Sequence, residues 1–181
     1  MELYAIIKIL FMKTVFSVLL IFTTMFGHAQ NSELKTVPFV DLHKYLGKWY
    51  DIASFPQRFQ KGCSCTTAEY ILNKDGSISV TNTCNKEGKQ KVATAKAKVK
   101  DKKTNAKLSV QFFWPFKGKY WIIDLADDYS YAVVGHPNRK YLWILSRTKT
   151  IDQNTYDGIL ARIKQKGFDL AKLKKTEQQC D

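Results

Sequence analysis

The feature that most constrains this chain is a run of short strand-like segments, each ended by a turn signal, with no space for helices between them. After a first strand that begins at Trp49, strand patterns recur at 66–72, 77–83, 91–100, 106–113, 119–125, 130–135 and 140–147. Turn residues fall between them at 85–88, 101–105, 115–118, 126–128 and 136–139, and Asn73-Lys74-Asp75-Gly76 is a strong hairpin signal. Eight strands in hairpin order predict an all-β chain: an up-and-down antiparallel barrel, closed so that no edge is left exposed. One helix follows. Asp152 caps it, Tyr156, Ile159, Leu160 and Ile163 recur at helical spacing, and Gly167 stops it. Its polar side carries Arg162, Lys164 and Lys166, so it is expected to pack along the outside of the barrel as a core stripe, not a ligand box.

The two ends of the strand series carry matching features. Asp41-Leu42-His43-Lys44-Tyr45-Leu46 reads as a single helical turn, capped by Asp41 and ended by Gly47. The strand that follows has the alternating face Trp49, Asp51, Ala53, Phe55, with a bulky ring at its start. The last strand has the face Tyr141, Trp143, Leu145, Arg147, which ends on a cation. If the sheet closes on itself, the Arg147 guanidinium lies over the Trp49 ring, a contact that contributes about 0.5–2 kcal/mol.

Gly47-x-Trp49 together with Trp143-x-Leu145-x-Arg147 resembles the opening and closing motifs of the lipocalin family. The bacterial lipocalin and apolipoprotein D branch is the most similar, over roughly 38–180: Val40-Asp41-Leu42, 45–53 and 141–148 match that branch's pattern nearly throughout. The family's middle motif, Thr-Asp-Tyr, stands here as Asp127-Asp128-Tyr129, without the Thr. The resemblance implies an eight-stranded barrel whose closed end is built on Gly47, Trp49 and Arg147, and whose interior holds a small lipophile. Matching the family's inward positions gives Ala53, Tyr70, Val80, Asn82, Phe112, Tyr120, Ile122, Trp143 and Leu145. Tyr70, Asn82, Phe112, Tyr120, Ile122 and Trp143 are the expected ligand contacts. Such a wall suits an acyl chain with one polar anchor. Phe55 and Phe59, beside the first long loop at 56–62, either pack under that loop or line the entrance.

The N-terminus is expected to direct export. Lys8 and Lys13 precede an uncharged apolar run at 14–26, and Gly27-His28-Ala29 supplies small residues for cleavage after Ala29. The run is shorter than the roughly 20 residues a membrane span needs. Residues 1–29 therefore read as a signal peptide and 30–181 as one domain. Resemblance to bacterial relatives would place a lipid-modified Cys just beyond the signal. The first cysteine here is Cys63, so a soluble periplasmic or secreted protein is expected, with outer-membrane association as an added expectation of the same resemblance.

Four cysteines in an exported chain imply two disulfides. Spacing alone leaves three connectivities; the resemblance favours Cys65–Cys180, which leaves Cys63–Cys84. The formal net charge is +13, and removing Glu2, Lys8 and Lys13 with the signal leaves +12. Export argues against a nucleic-acid partner. Lys86, Lys89, Lys91, Lys96, Lys98, Lys100, Lys102 and Lys103 alternate along two strands, as on a solvated outer face, and an anionic membrane surface is the alternative partner.

No phosphate loop, nucleophile elbow or metal motif is present. His43 and His136 read as turn or capping groups, and neighbouring carboxylates Asp127 and Asp128 point apart in a turn. The expected function is carriage or storage of a fatty acid, lysophospholipid or similar ligand, in envelope maintenance or stress, without cofactor, metal or catalysis. An alternative is a basic surface-interaction protein that binds anionic lipid or polysaccharide. A lipocalin-type enzyme would need an unpaired cysteine on the inner face.

Overall fold

The computed structural model describes residues 33–180, so the expected signal peptide lies outside the described residues. The chain forms a helical turn α1 (Leu42–Tyr45), then strands β1 (Gly47–Ser54), β2 (Ser64–Leu72), β3 (Ile78–Lys86), β4 (Lys89–Val99), β5 (Lys107–Phe113), β6 (Phe116–Leu125), β7 (Tyr131–Gly135) and β8 (Leu142–Ser146). Helix α2 (Gln153–Gln165) and a two-residue strand β9 (Lys174–Lys175) follow. Every strand from β1 to β8 pairs antiparallel with its neighbour in sequence, and β1 also pairs with β8, so the sheet closes into a barrel.

Two differences from the sequence reading have local causes. The 115–118 turn is tighter than expected: Phe116 already pairs with Phe113, and Gly118 with Val110, leaving Trp114-Pro115 as the turn itself. Gly118 and its lysine neighbours look like turn residues but sit in an exposed hairpin, where strand pairing tolerates them. Strand β9 was not expected. Its lysines carry no apolar alternation, and it forms only because the tail lies against Ala53 and Ser54 of β1.

The pleat divides the apolar residues into two cores. Inside the barrel, Tyr45, Trp49, Tyr70, Ile78, Val80, Leu108, Ile122, Val134 and Leu145 are buried together. Outside it, Tyr156, Ile159 and Ile163 of α2 cover Ile123, Val133, Leu142 and Ile144. Arg162 is less free than its place on the polar side of α2 suggests. It donates to Asp124 Oδ2 at 2.7 Å and to the Tyr131 hydroxyl at 2.9 Å, tying the helix to β6 and β7.

A bulge in β1 fixes which residues belong to which core. Asp51 pairs with Leu145, but Ala53 pairs with Ile144, so the strand changes face between them. Ala53, expected inside, therefore belongs to the outer core, as does Phe55, whose ring lies 6.1 Å from that of Phe168. Neither is at the barrel entrance.

The closed end is assembled on Arg147. Its guanidinium carbon stands 3.7 Å from the centroid of the fully buried Trp49 ring. Its two terminal nitrogens donate to the carbonyls of Lys48 at 2.9 Å and Lys44 at 2.6 Å, and Nε reaches the Tyr129 carbonyl at 3.4 Å. One side chain thus links α1, β1, β8 and the turn before β7. Gly47 has φ +89°, and a Cβ there would stand 3.6 Å from Arg147 Nη1. That is ordinary contact distance, so glycine is needed here for the left-handed turn from α1 into β1 and not for space. Trp49 Nε1 donates to the Tyr45 carbonyl at 2.8 Å, and Asp41 caps α1 through the His43 amide at 2.9 Å. The Tyr129 hydroxyl accepts from the Asp41 amide at 2.8 Å, so Asp127-Asp128-Tyr129 helps hold the plug in place.

Disulfides join Cys63 to Cys84 and Cys65 to Cys180, with Cα separations of 5.5 and 6.2 Å. The second ties the tail to the start of β2. Closing a loop of that length contributes about 4–5 kcal/mol in the chain-entropy model.

Arg147→Ala removes the ring contact and leaves three carbonyls to find water at the closed end. Urea unfolding of this variant is expected to show a loss of about 2–4 kcal/mol. A loss below about 0.5 kcal/mol, the level of an ordinary surface change, contradicts the role assigned to it.

Candidate functional site

Above the closed end the barrel leaves a cavity of about 400 Å3, within the range of about 300–1,000 Å3 usual for small-molecule sites. Tyr70 and Tyr120 form its floor, with Tyr45 packed against them. The Tyr120 hydroxyl lies 2.7 Å from that of Tyr45 and 2.8 Å from that of Tyr70, so each buried hydroxyl has a partner. Burial raises the pKa of all three, that of Tyr70 to about 12. They are neutral at physiological pH and offer a weakly polar, uncharged base.

Val80, Asn82, Val110 and Leu145 line the wall, and Phe59, Phe112, Tyr141 and Trp143 stand around the mouth. The Tyr141 and Trp143 rings stack with 6.3 Å between centroids and 7° between planes. Of the residues expected to contact ligand, Tyr70, Asn82, Phe112, Tyr120 and Trp143 border this space. Ile122 does not. It faces inward but is fully buried in the packed layer beneath the cavity, among Leu108, Ala132 and Val134, and no surface of it is left for a ligand.

The sequence reading assigned no role to Gln60, placed Asp51 only on the alternating face from Trp49 and read His136 as a turn or capping group, yet all three line the cavity. Asp51 is 3% exposed. Gln60 Nε2 donates to Asp51 Oδ2 at 3.2 Å, and Trp143 Nε1 donates to Gln60 Oε1 at 3.2 Å, so one amide bridges the carboxylate and the indole. Asp51 Oδ1 has no hydrogen-bond partner among the described residues. Burial pushes the Asp51 pKa up to about 6, partly offset by the Ser54, Gln60 and Thr176 side chains. His136 caps its turn through Nδ1, accepting from the Asn138 amide at 3.2 Å, and packs against Tyr141 at 5.6 Å. The alternating face from Trp49 did include Asp51. An acidic residue on an otherwise apolar inward face was the signal available.

The lipocalin-like domain family model matches residues 40–178, from the lead-in strap to the tail. The chain belongs to the lipocalin family. Temperature-induced lipocalin-1 of Arabidopsis thaliana is 39% identical over 158 residues, covering 82% of this chain and 85% of that protein. Outer membrane lipoprotein Blc of Vibrio cholerae is 41% identical over 149 residues, covering 81% and 87%. Apolipoprotein D of Mus musculus is 34% identical over 149 residues, covering 76% and 77%. Among solved structures, insecticyanin from the tobacco hornworm Manduca sexta superposes with a TM-score of 0.66 at 23% identity, covering 81% of this chain and 85% of that one. That likeness is one of fold. Within this lipocalin, the Gly47–Trp49–Arg147 end and the open cavity mouth lie at opposite ends of the barrel.

The Asp51 shift has a consequence for stability. Between about pH 4 and about pH 6 the folded protein keeps a proton that the unfolded chain has released, so this group's contribution falls as pH rises through that window and stays unfavourable above it. Asp51→Asn is therefore expected to raise stability at about pH 8 by up to about 3 kcal/mol, and to leave it unchanged near pH 3. Urea titrations at the two pH values check this. An equal effect at both contradicts it.

Proposed function

We propose that this lipocalin is exported and binds one small lipophile in its barrel, built on an acyl or similar chain and of the fatty acid or lysophospholipid size class. It carries or stores that molecule in the periplasm or outside the cell, in envelope maintenance or stress. The observation that supports this most directly is the cavity itself: about 400 Å3, open at one end and lined largely by rings and aliphatic groups. Each methylene buried there contributes about 0.8 kcal/mol. Both disulfides fit an oxidising compartment, and all four cysteines are paired, which leaves no thiol for covalent turnover of the ligand.

Native mass spectrometry of the protein from an exporting host, followed by solvent extraction, tests this reading. The expected result is a one-to-one adduct that yields an acyl lipid. A protein that stays empty when offered such lipids in vitro contradicts it.

The aromatic rim favours a second activity of the same molecule. Phe113, Trp114 and Phe116 are 66%, 85% and 67% exposed at the β5–β6 turn, beside Lys117 and Lys119. Rings of this kind with flanking lysines suit the interface of an anionic membrane. Sedimentation with vesicles containing anionic lipid is expected to weaken on Trp114→Ser and at high salt. Binding unaffected by either change contradicts membrane docking through this turn.

A further inference from the structure

The exposed rings of the β5–β6 turn are also part of the cavity's lip. Phe113 and Phe116 face each other across the turn with 5.5 Å between centroids, largely in solvent, and both line the cavity, as does the exposed Phe112 before them. From the loop after β1, Phe59 lines the same cavity and is exposed between the equally exposed Arg58 and Lys61. Rings that only sealed the cup would turn their area inward. These keep most of it in water, which is unfavourable until an apolar phase covers them.

The outer side of the same hairpin is basic. Ala97 and Leu108 are buried inside the barrel, so alternation turns Lys98 and Ser109 outward, and the register sets Lys98, Ser109 and Lys119 in one row across β4, β5 and β6. Lys117 lies on that face of β6 next to the aromatic turn. On the other side of the row, Lys100, Lys107 and Trp121 line an outer groove, with Lys107 Nζ 4.4 Å from the Trp121 ring centroid. Among the described residues Asp101 is the only acid lining that groove, and its carboxylate accepts from the Lys103 amide and the Thr104 hydroxyl of its own turn. Lys96 is paired with Asp75 at 2.8 Å, whereas Lys98, Lys100, Lys117 and Lys119 make no ion pair among the described residues.

We propose that this hairpin seats the cavity mouth on an anionic bilayer, and that the ligand passes directly between bilayer and cavity at that contact. This rests on the carrier and membrane-contact readings above and adds the route by which the cup fills and empties. A chain that leaves the cavity for water re-exposes every methylene it had buried, so the aqueous route slows with each one. With the lip in the bilayer, the chain moves along Phe112, Phe113 and Phe116 from one apolar phase to another, and that barrier falls away. The two features divide the contact: the lysines attract the anionic surface and the rings enter its interface. A soluble polyanion would match the lysines but leave the rings in water, so a bilayer is the partner that fits both.

Transfer of anthroyloxy-stearate from the loaded protein to vesicles carrying an NBD-labelled phospholipid quencher, followed by stopped-flow fluorescence, tests the route. The rate is expected to rise in proportion to vesicle concentration. It is expected to be faster on an equal mixture of phosphatidylcholine and phosphatidylglycerol than on phosphatidylcholine alone, and to fall as salt rises. Lys98→Ala combined with Lys100→Ala is expected to slow transfer to the anionic vesicles by about tenfold or more, while the affinity for the probe in solution stays the same. Trp114→Ser is expected to slow transfer to both kinds of vesicle. A rate that ignores vesicle concentration means release into water first; it overturns the inference and leaves the carrier reading standing. A rate that rises with vesicles but ignores the double lysine variant overturns it too, because contact then occurs through another face. Binding of dextran sulfate by the lysine face, without sedimentation on anionic vesicles, assigns that face to a polysaccharide and overturns both the inference and the membrane-contact reading. Failure of the wild-type protein to bind the probe at all overturns the carrier reading as well.

Discussion

Closure at one end is the constraint on which the rest of this barrel depends. A cylinder of eight short antiparallel strands has no intrinsic reason to be blind at one end and open at the other. Here the asymmetry comes from a cation stacked on a fully buried tryptophan, with the same cation donating to carbonyls on three separate segments. The Trp49 ring is fully buried while the hydrogen bonds to the Lys44 and Lys48 carbonyls lie at the exposed rim, and together these contacts hold α1 across the barrel. With that end sealed, the remaining interior above the phenol layer becomes a cup and not a channel.

The floor and wall then divide the work of the interior. Three phenols share hydrogen bonds among themselves, so the base of the cup is polar enough to be satisfied and uncharged enough to accept an aliphatic tail. The charge sits higher, on Asp51, where the loop after β1 brings Gln60 over it. A cup of this form offers apolar area for affinity.

Much of this was legible in the sequence, for reasons that differ from residue to residue. Trp49 and Arg147 were readable because they end two alternating faces that closure of the sheet brings side by side. Helix α2 was readable because Tyr156, Ile159 and Ile163 keep a 3.6-residue period behind an Asp152 cap, and the Thr155 amide does donate to that aspartate at 2.9 Å. Ala53 was misplaced because a bulge is invisible to a strict period of two: one extra residue at Ile52 moves everything after it to the other face. Ile122 shows a different limit. Its face was right, but depth along the barrel decides between lining and packing, and depth depends on where Tyr45 and Trp49 fill the interior. Asp51 was passed over because its burial at the cavity wall, with Gln60 bridging it to Trp143, is a property of the packed interior alone.

The exterior follows simpler rules. Lys96 and Lys98 are exposed on either side of a fully buried Ala97, and the upper part of β4 pairs with β3 but not β5, so Lys89 and Lys91 stand on a projecting edge. A strongly basic surface and a greasy cup make opposite demands on salt, and this separates surface attraction from cavity binding. The central claim, that a single blind cavity is the binding site, is tested most directly by isothermal titration of a neutral lipophile over a range of ionic strength and temperature. The account predicts one site per chain, an affinity nearly independent of salt, and a negative heat-capacity change from apolar burial. Several sites per chain, with affinity falling steeply as salt rises, would contradict it.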